Sequence, residues 1–204
     1  MSGPVVIHGA VEGVVDEAVL RRLVKEIGAI SGPIYGKNGK SFLLQKLSAY
    51  NQAARFSPWI ILIDLDDDDD CAPPFMKPHL PCPAPYMCCR VAVREIESWL
   101  LADRERLAKF LSVGASHIPL DPEKLDSPKS TMVEIARHSR RRGIREDMVP
   151  RPESGRKVGP AYASQLIECA GDSKRGWRPN VAAEISDSLN RCMRCMLRLI
   201  RAAE

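Results

Sequence analysis

No apolar run in this sequence is longer than the five residues from Trp59 to Ile63. A helix that crosses a bilayer needs roughly 20 such residues, so no membrane span is expected. Met1, Ser2, Gly3 and Pro4 lead straight into an apolar strand, so no signal peptide is expected either, and the cytoplasm is the expected location. The seven cysteines show no regular framework spacing, which in a cytoplasmic chain favours free thiols over disulfides. Cys71, Cys82, Cys88 and Cys89 lie with His79 inside 19 residues but contain no C-x-x-C pair, so zinc is not the favoured reading there. Aromatic residues make up 5% of the chain, and none is interleaved with the arginine cluster. That argues against reading base sequence by stacking. A P-loop is also missing. The string Gly36-Lys37-Asn38-Gly39-Lys40-Ser41 ends correctly, but G-x-x-x-x-G-K-[ST] requires glycine where Ile34 stands.

With 204 residues the chain is long enough for one domain with a substantial core, or one domain plus a small appendage. Its net charge is only +4, but the acids gather early and the arginines late. Such asymmetry suits a metal site beside a phosphate-binding face.

Val5 to Ile7, extending towards Val11, reads as a buried parallel strand. A helix follows, with Val19, Leu20, Leu23, Val24 and Ile27 at helical spacing, Asp16 as its cap and Gly28 at its end. Ala29 to Tyr35 reads as a short strand broken by Gly32-Pro33. A basic turn with Lys37 and Lys40 leads to a helix capped by Ser41 and carrying Leu43, Leu44, Leu47 and Tyr50. Trp59 to Leu65 is the clearest strand. An acidic run from Asp66 to Asp70 follows it, then a loop from Ala72 to Pro85 that is too rich in proline for regular structure. Met87 to Val93 reads as a strand and Arg94 to Ala102 as a helix. This order predicts an α/β fold with a mainly parallel sheet. After Asp103 only helices are expected, near 104–111, 129–140, 161–169 and 180–203. The reading divides the chain into a core at 1–102 and a helical extension at 103–204 packed on it.

Acids stand at the ends of two of these strands. Glu12-Gly13 and Asp16 follow the first strand, and Asp64-Leu65-Asp66 closes the third. Strand ends in α/β folds line the crevice where ligands bind. Alternation would place Asp64 and Asp66 on one side, where they repel unless a cation lies between them. Asp64 continues five apolar residues and should be partly buried, which is expensive for an unpaired acid. A bland account also exists: Glu12 as a turn acid, Asp16 as a helix cap and Asp67 to Asp70 as a solvated loop.

Together, a strand, Glu-Gly-x-x-Asp, a helix and a strand ending Asp-x-Asp resemble the Toprim domain across roughly residues 4 to 100. That domain is shared by primases, topoisomerases, small RNA-maturing nucleases and the overcoming-lysogenisation-defect nucleases. The resemblance implies a Rossmann-like four-strand sheet and a Mg²⁺ or Mn²⁺ site. It implies Glu12 as the catalytic glutamate, Asp64 and Asp66 as the metal pair, and Asp16 as the extra acid of the nuclease branch. Another acid after the next strand completes a two-metal site in that branch, and Glu95 and Glu97 are both candidates, with Glu97 preferred. The Glu-x-Trp-Leu-Leu-Ala-Asp string from Glu97 also looks like small standalone Toprim-like bacterial proteins with a Pro-Lys element in their helical tail. Here that element is Pro128-Lys129, and Lys129 would offset charge in the transition state.

The chain shows no DNA-gate region and no fused ATPase domain, so the resemblance favours a small metal-dependent nuclease. Arg137, Arg140, Arg141, Arg142 and Arg145 form the strongest candidate nucleic-acid footprint, with Lys37 and Lys40 as further phosphate contacts. A solvated helix end accounts for the arginines equally well. The expected activity is phosphodiester hydrolysis of DNA or RNA, associated with anti-phage or mobile-element defence. The alternative is a non-catalytic or partner-activated subunit that binds nucleic acid or protein. A separate ATPase subunit and a homodimer both stay open as partners.

Overall fold

The computed structural model describes residues 3–69 and 71–203. Met1 and Ser2, which precede the first strand, and Asp70, the last acid of the acidic run, lie outside the described residues. Four strands form one sheet: β1 (Val6–Val11), β2 (Ile30–Gly36), β3 (Trp59–Asp64) and β4 (Met87–Ala92). Every pairing is parallel and the order is β2-β1-β3-β4. The chain is therefore α/β, with helices on both faces of a four-strand parallel sheet in a Rossmann-like arrangement. No helix among the described residues is long and apolar enough to cross a membrane.

The order follows from the crossovers. Helix α1 (Val14–Glu26) carries the chain outward from β1 to β2, and α2 (Lys40–Ala53) carries it back past β1 to β3. Right-handed crossovers that run in opposite directions leave their helices on opposite faces. The core divides in the same way. Val19, Leu20 and Leu23 of α1 share a cluster with Ile60 and Leu62, whereas Leu43 and Leu47 of α2 share one with Ile61 and Ile63. Alternation along β3 feeds both clusters, which is why all six of its residues are buried.

Three local expectations are corrected. Gly32-Pro33 does not break β2, because β2 is an edge strand and the pair is absorbed by a register shift: Ile7 faces Ser31, but Gly9 faces Ile34. Proline is tolerated where one side of the strand needs no donor, and an irregularity takes up the extra residue. The stretch after Cys71 is not wholly loop. It forms α3 (Ala72–His79), with Pro73 and Pro74 in the first turn, where no intrahelical N–H is required, and Pro78 one residue from the end. Helix α2 starts from Gly39 rather than from a Ser41 cap.

The helix after β4, α4 (Glu97–Ala102), begins later than Arg94. Beyond it come α5 (Arg104–Leu111), α6 (Pro128–Arg137), α7 (Arg142–Met148), α8 (Tyr162–Gly171), α9 (Pro179–Ala182) and α10 (Asp187–Ala203). The expected 129–140 segment thus ends at Arg137, and α7 is additional. One hydrophobic cluster runs from Ile7 to Leu199 and joins these helices to the α1 face of the sheet. Trp99 is its centre: Trp177 Nε1 donates to the Trp99 carbonyl at 2.9 Å, and Trp99 Nε1 donates to Ser188 Oγ at 2.7 Å.

The cysteines are not all free. Cys88 and Cys195 are paired as a disulfide with Cα atoms 6.1 Å apart, while Cys71, Cys82, Cys89, Cys169 and Cys192 are free. The partners lie 107 residues apart, so local spacing gave no sign of the pair. They meet because α10 packs along the edge strand β4.

Asp103 ties the start of α5 to the segment just before α9, within the helical extension. Its carboxylate is only 1% exposed, caps α5 through the Arg106 N–H, and accepts from the Arg178 backbone N–H and from two guanidinium nitrogens at 2.7–2.9 Å. Removing one partner of a buried ion pair costs about 3–5 kcal/mol. Arg178 is partly exposed and also reaches Glu105. Asp103→Ala should therefore fall near the lower figure, about 3 kcal/mol, in urea unfolding at neutral pH. A loss under about 0.5 kcal/mol would show that the pair does not anchor α5 to the segment before α9.

Candidate functional site

Strands β1 and β3 are neighbours, yet the chain leaves β1 towards β2 and leaves β3 towards β4. The crevice beyond their carboxyl ends lies at the point where the strand order reverses, the usual ligand position of open α/β sheets. Glu12 follows β1 and Asp64 ends β3. Glu12 Oε1 accepts the Asp64 backbone N–H at 2.8 Å and so links the two strand ends. Burial raises the Glu12 carboxyl to about 7, with the Asp64 N–H and Lys40 opposing that rise.

Asp64 shares a face with Ile60 and Leu62 and points towards α1 and α4. It is 8% exposed, and its Oδ1 accepts the Ile96 N–H at 2.9 Å. Burial, followed by the nearby Asp16, Glu97, Glu12 and Asp66, holds its carboxyl well above the usual range. Asp64 is the acid to which the other predicted acids are electrostatic neighbours.

Asp16 is not the cap residue of α1. That position is Gly13, and Asp16 lies in the first turn, where its own N–H and that of Gly13 favour the charged carboxylate against its burial. It is 6% exposed, and its Oδ1 has no hydrogen-bond partner. Gly13 has φ −140°, so its value here is not left-handed geometry. A Cβ at Gly13 would stand 2.9 Å from Asp16 Oδ2 and crowd the carboxylate.

Glu97 opens α4 and is almost wholly buried. Its Oε1 accepts from the Tyr162 hydroxyl at 3.1 Å, and its Oε2 has no partner. Burial pushes its carboxyl up to about 7, against the pull of Lys129. Lys129 comes from the first turn of α6. Its backbone N–H and Nζ both reach Glu95, at 2.7 and 3.2 Å, and Nζ lies 3.7 Å from Glu97. Burial alone would lower the Lys129 pKa, but Glu97 and Glu95 raise it overall, so the ammonium stays charged.

Asp66 departs from its expected place. At φ 50° its backbone has left the strand, so it no longer alternates with Asp64. Its carboxylate is half exposed and pairs with Lys40 Nζ at 2.5 Å, which also reaches Asp68 at 2.7 Å. Lys40 is thus the cation at the rim of the acid cluster and is already paired. Lys37 pairs with Glu17 at 2.9 Å. The arginine cluster lies elsewhere. Arg137 pairs with Glu134 and Arg142 with Glu146, Arg145 donates to the Ser139 carbonyl, and Arg140 and Arg141 are exposed. None of these arginines has an ion pair with the acids of the crevice.

The crevice therefore gathers Glu12, Asp16, Asp64, Glu97 and Lys129, with Asp66 and Lys40 at its rim. Sequence reasoning missed Tyr162, which has no motif around it and reaches Glu97 across 65 residues. It ranked Glu95 below Glu97, although Glu95 is what holds Lys129. Among the described residues, no three His, Cys, Asp or Glu side chains are already drawn round one point as metal ligands, at this crevice or between Cys71 and Cys89. The donor set still suits a hard cation. All its members are carboxylates, and two buried oxygens, Asp16 Oδ1 and Glu97 Oε2, lack any partner. Comparison with protein families, curated proteins and solved structures found no match for this chain.

The raised acids set a pH dependence. Between about pH 4.5 and 7, folded Glu12 and Glu97 retain protons that the unfolded chain has released. The native state then binds more protons than the unfolded state, so stability falls as pH rises through that window. Wild-type Tm should drop between pH 5 and pH 8 in metal-free buffer. Asp64→Asn keeps the acceptor for Ile96 and removes Asp64's own raised titration, so it should reduce the drop while leaving the burial-driven part that Glu12 and Glu97 contribute. An unchanged slope in differential scanning calorimetry would refute this electrostatic account of the cluster.

Proposed function

We propose that this chain is a Toprim-like, metal-dependent phosphodiesterase that cuts DNA or RNA. The observation that carries this reading is the crowding of Glu12, Asp16 and Glu97 about Asp64 at the sheet switch point, with a charged lysine among them. Buried like charges with unpartnered oxygens are unfavourable for folding alone, and clusters of this kind concentrate at functional sites.

Asp16, Asp64 and Glu97 are the residues we assign to hold Mg²⁺ or Mn²⁺, with Asp66 at the rim. Bound there, the cation supplies a Lewis acid for a phosphoryl oxygen and lowers the pKa of a coordinated water. Glu12, with a pKa of about 7, is partly protonated at neutral pH and suits proton transfer to or from the reacting groups. Lys129 carries a positive N–H donor to the same crevice, where it offsets charge growing on phosphate oxygens. Tyr162 and Glu95 are positioning residues: the first orients Glu97, and the second holds Lys129. Cation binding must displace protons from the raised carboxyls, so affinity should increase as the pH is raised towards 8. The setting we attach is anti-phage or mobile-element defence, through the Toprim resemblance alone.

Purified protein incubated with plasmid, single-stranded DNA and RNA should cut at least one of them with Mg²⁺ or Mn²⁺ and none with EDTA. Asp64→Ala and Glu12→Ala should each lower the rate about 10²–10⁴-fold. Lys129→Ala should lower it about 10²-fold. No cutting by folded wild-type protein in either metal, or undiminished cutting by Asp64→Ala, would overturn the reading.

A further inference from the structure

The last helix carries a second basic surface, distinct from the Arg137–Arg145 cluster. Arg191, Arg194, Arg198 and Arg201 recur on α10 at spacings of three, four and three residues. At about 100° per residue they fall within a sector of about 80° and extend about 15 Å along the helix. All four are exposed, while Leu189, Cys192, Met196 and Leu199 on the opposite side are buried in the core. Arg90 joins them from β4, and the five arginines line one groove of about 580 Å³ with Asp187 and Leu197. Asp187 is its only acid and is taken by Arg191 at 2.7 Å. Arg194, Arg198 and Arg201 form no ion pair with any described residue.

Arg90 shows that this is more than a solvated helix face. It is half-buried, and its Nε is buried with no hydrogen-bond partner. Burial lowers its pKa, and Arg198 and Arg191 press in the same direction. A desolvated guanidinium among like charges, with an unfilled donor, lacks an anion.

We propose that α10 and Arg90 form a binding track for the phosphate backbone of a nucleic acid. A surface about 15 Å long spans about four base-pair steps of a duplex axis, at about 3.4 Å each. Guanidinium forks suit phosphate oxygens and read no base, in keeping with the shortage of exposed aromatics nearby. An anionic membrane fits less well. An interfacial helix inserts its apolar face into lipid, and that face of α10 is already packed against the sheet. The track is also joined to α4, the element that presents Glu97. Ser188, one turn before Arg191, receives the Trp99 indole bond, and Trp99 lies two residues beyond Glu97. This placement matters only if the nuclease reading holds, whereas the binding itself does not depend on it.

The test is fluorescence anisotropy with a labelled duplex of about 20 base pairs and a single strand of equal length. EDTA is present, so that no cleavage occurs. Arg194→Glu/Arg198→Glu should weaken binding by at least about 10-fold at 0.1 M salt and reduce the salt slope by about 2. Arg194→Lys/Arg198→Lys should keep the salt slope, and Lys46→Glu/Arg55→Glu, at exposed positions in and just after α2, should stay within about 2-fold of wild type. Tm and circular dichroism confirm that each variant is folded. Equal loss in the Lys46/Arg55 variant, no loss in the α10 variant, or tighter binding to anionic phosphatidylserine vesicles than to either nucleic acid would overturn the proposal. Binding through α10 by a chain that cuts nothing would defeat the nuclease reading and leave this one standing.

Discussion

The hydrogen bond from the Ile96 N–H to Asp64 holds a carboxylate where bulk water cannot solvate it. The rest of the crevice is arranged around that fact. Glu12 accepts the Asp64 N–H and so pins the end of β1 to the end of β3. Asp16 approaches from α1 and Glu97 from α4, and each raises the cost of ionising its neighbours. Protons held on the raised carboxyls relieve part of this repulsion, and two lysines relieve more. Lys129 arrives on α6 from the inner side and Lys40 on α2 from the rim. The helical half is thus part of the site's electrostatics as well as of the core.

The same arrangement explains how the later helices are anchored. Asp103 stands immediately after α4 and receives Arg178 from just before α9, while Trp177 bonds to the Trp99 carbonyl. These bonds bracket α4, the element that presents Glu97. Tyr162, at the start of α8, reaches the same glutamate from a helix that packs on α1. Polar bonds inside a packed core are demanding, because each partner left alone would carry its full desolvation penalty. Together they fix the position of α4 and, through it, the position of an acid that would otherwise avoid burial.

Much of the fold was legible in the sequence. The run from Trp59 to Ile63 reads as a strand buried on both faces, and the spacing of Val19, Leu20 and Leu23 reads as a helix packed on one. The acids at the strand ends were visible because Asp64 interrupts an apolar run without a break. Legibility failed where position in the sheet overrides local preference. Gly32-Pro33 reads as a breaker until β2 proves to be an edge strand, and the prolines after Cys71 read as loop although the first turn of a helix tolerates them. It failed again at Asp66, where a single left-handed residue ends the alternation that would have paired it with Asp64.

By itself the sequence determined the parallel α/β order, the absence of a long apolar helix and the identity of the acids, because these depend on periodicity and on neighbours close in the chain. Only the tertiary structure decided which charges meet. Glu97 with Tyr162, Lys40 with Asp66, Asp103 with Arg178, Cys88 with Cys195 and Arg90 with the α10 arginines all join residues at least 26 apart in sequence. The physical reason is that side-chain electrostatics depends on distance and desolvation in space. The chain brings such groups together only after its apolar faces have packed.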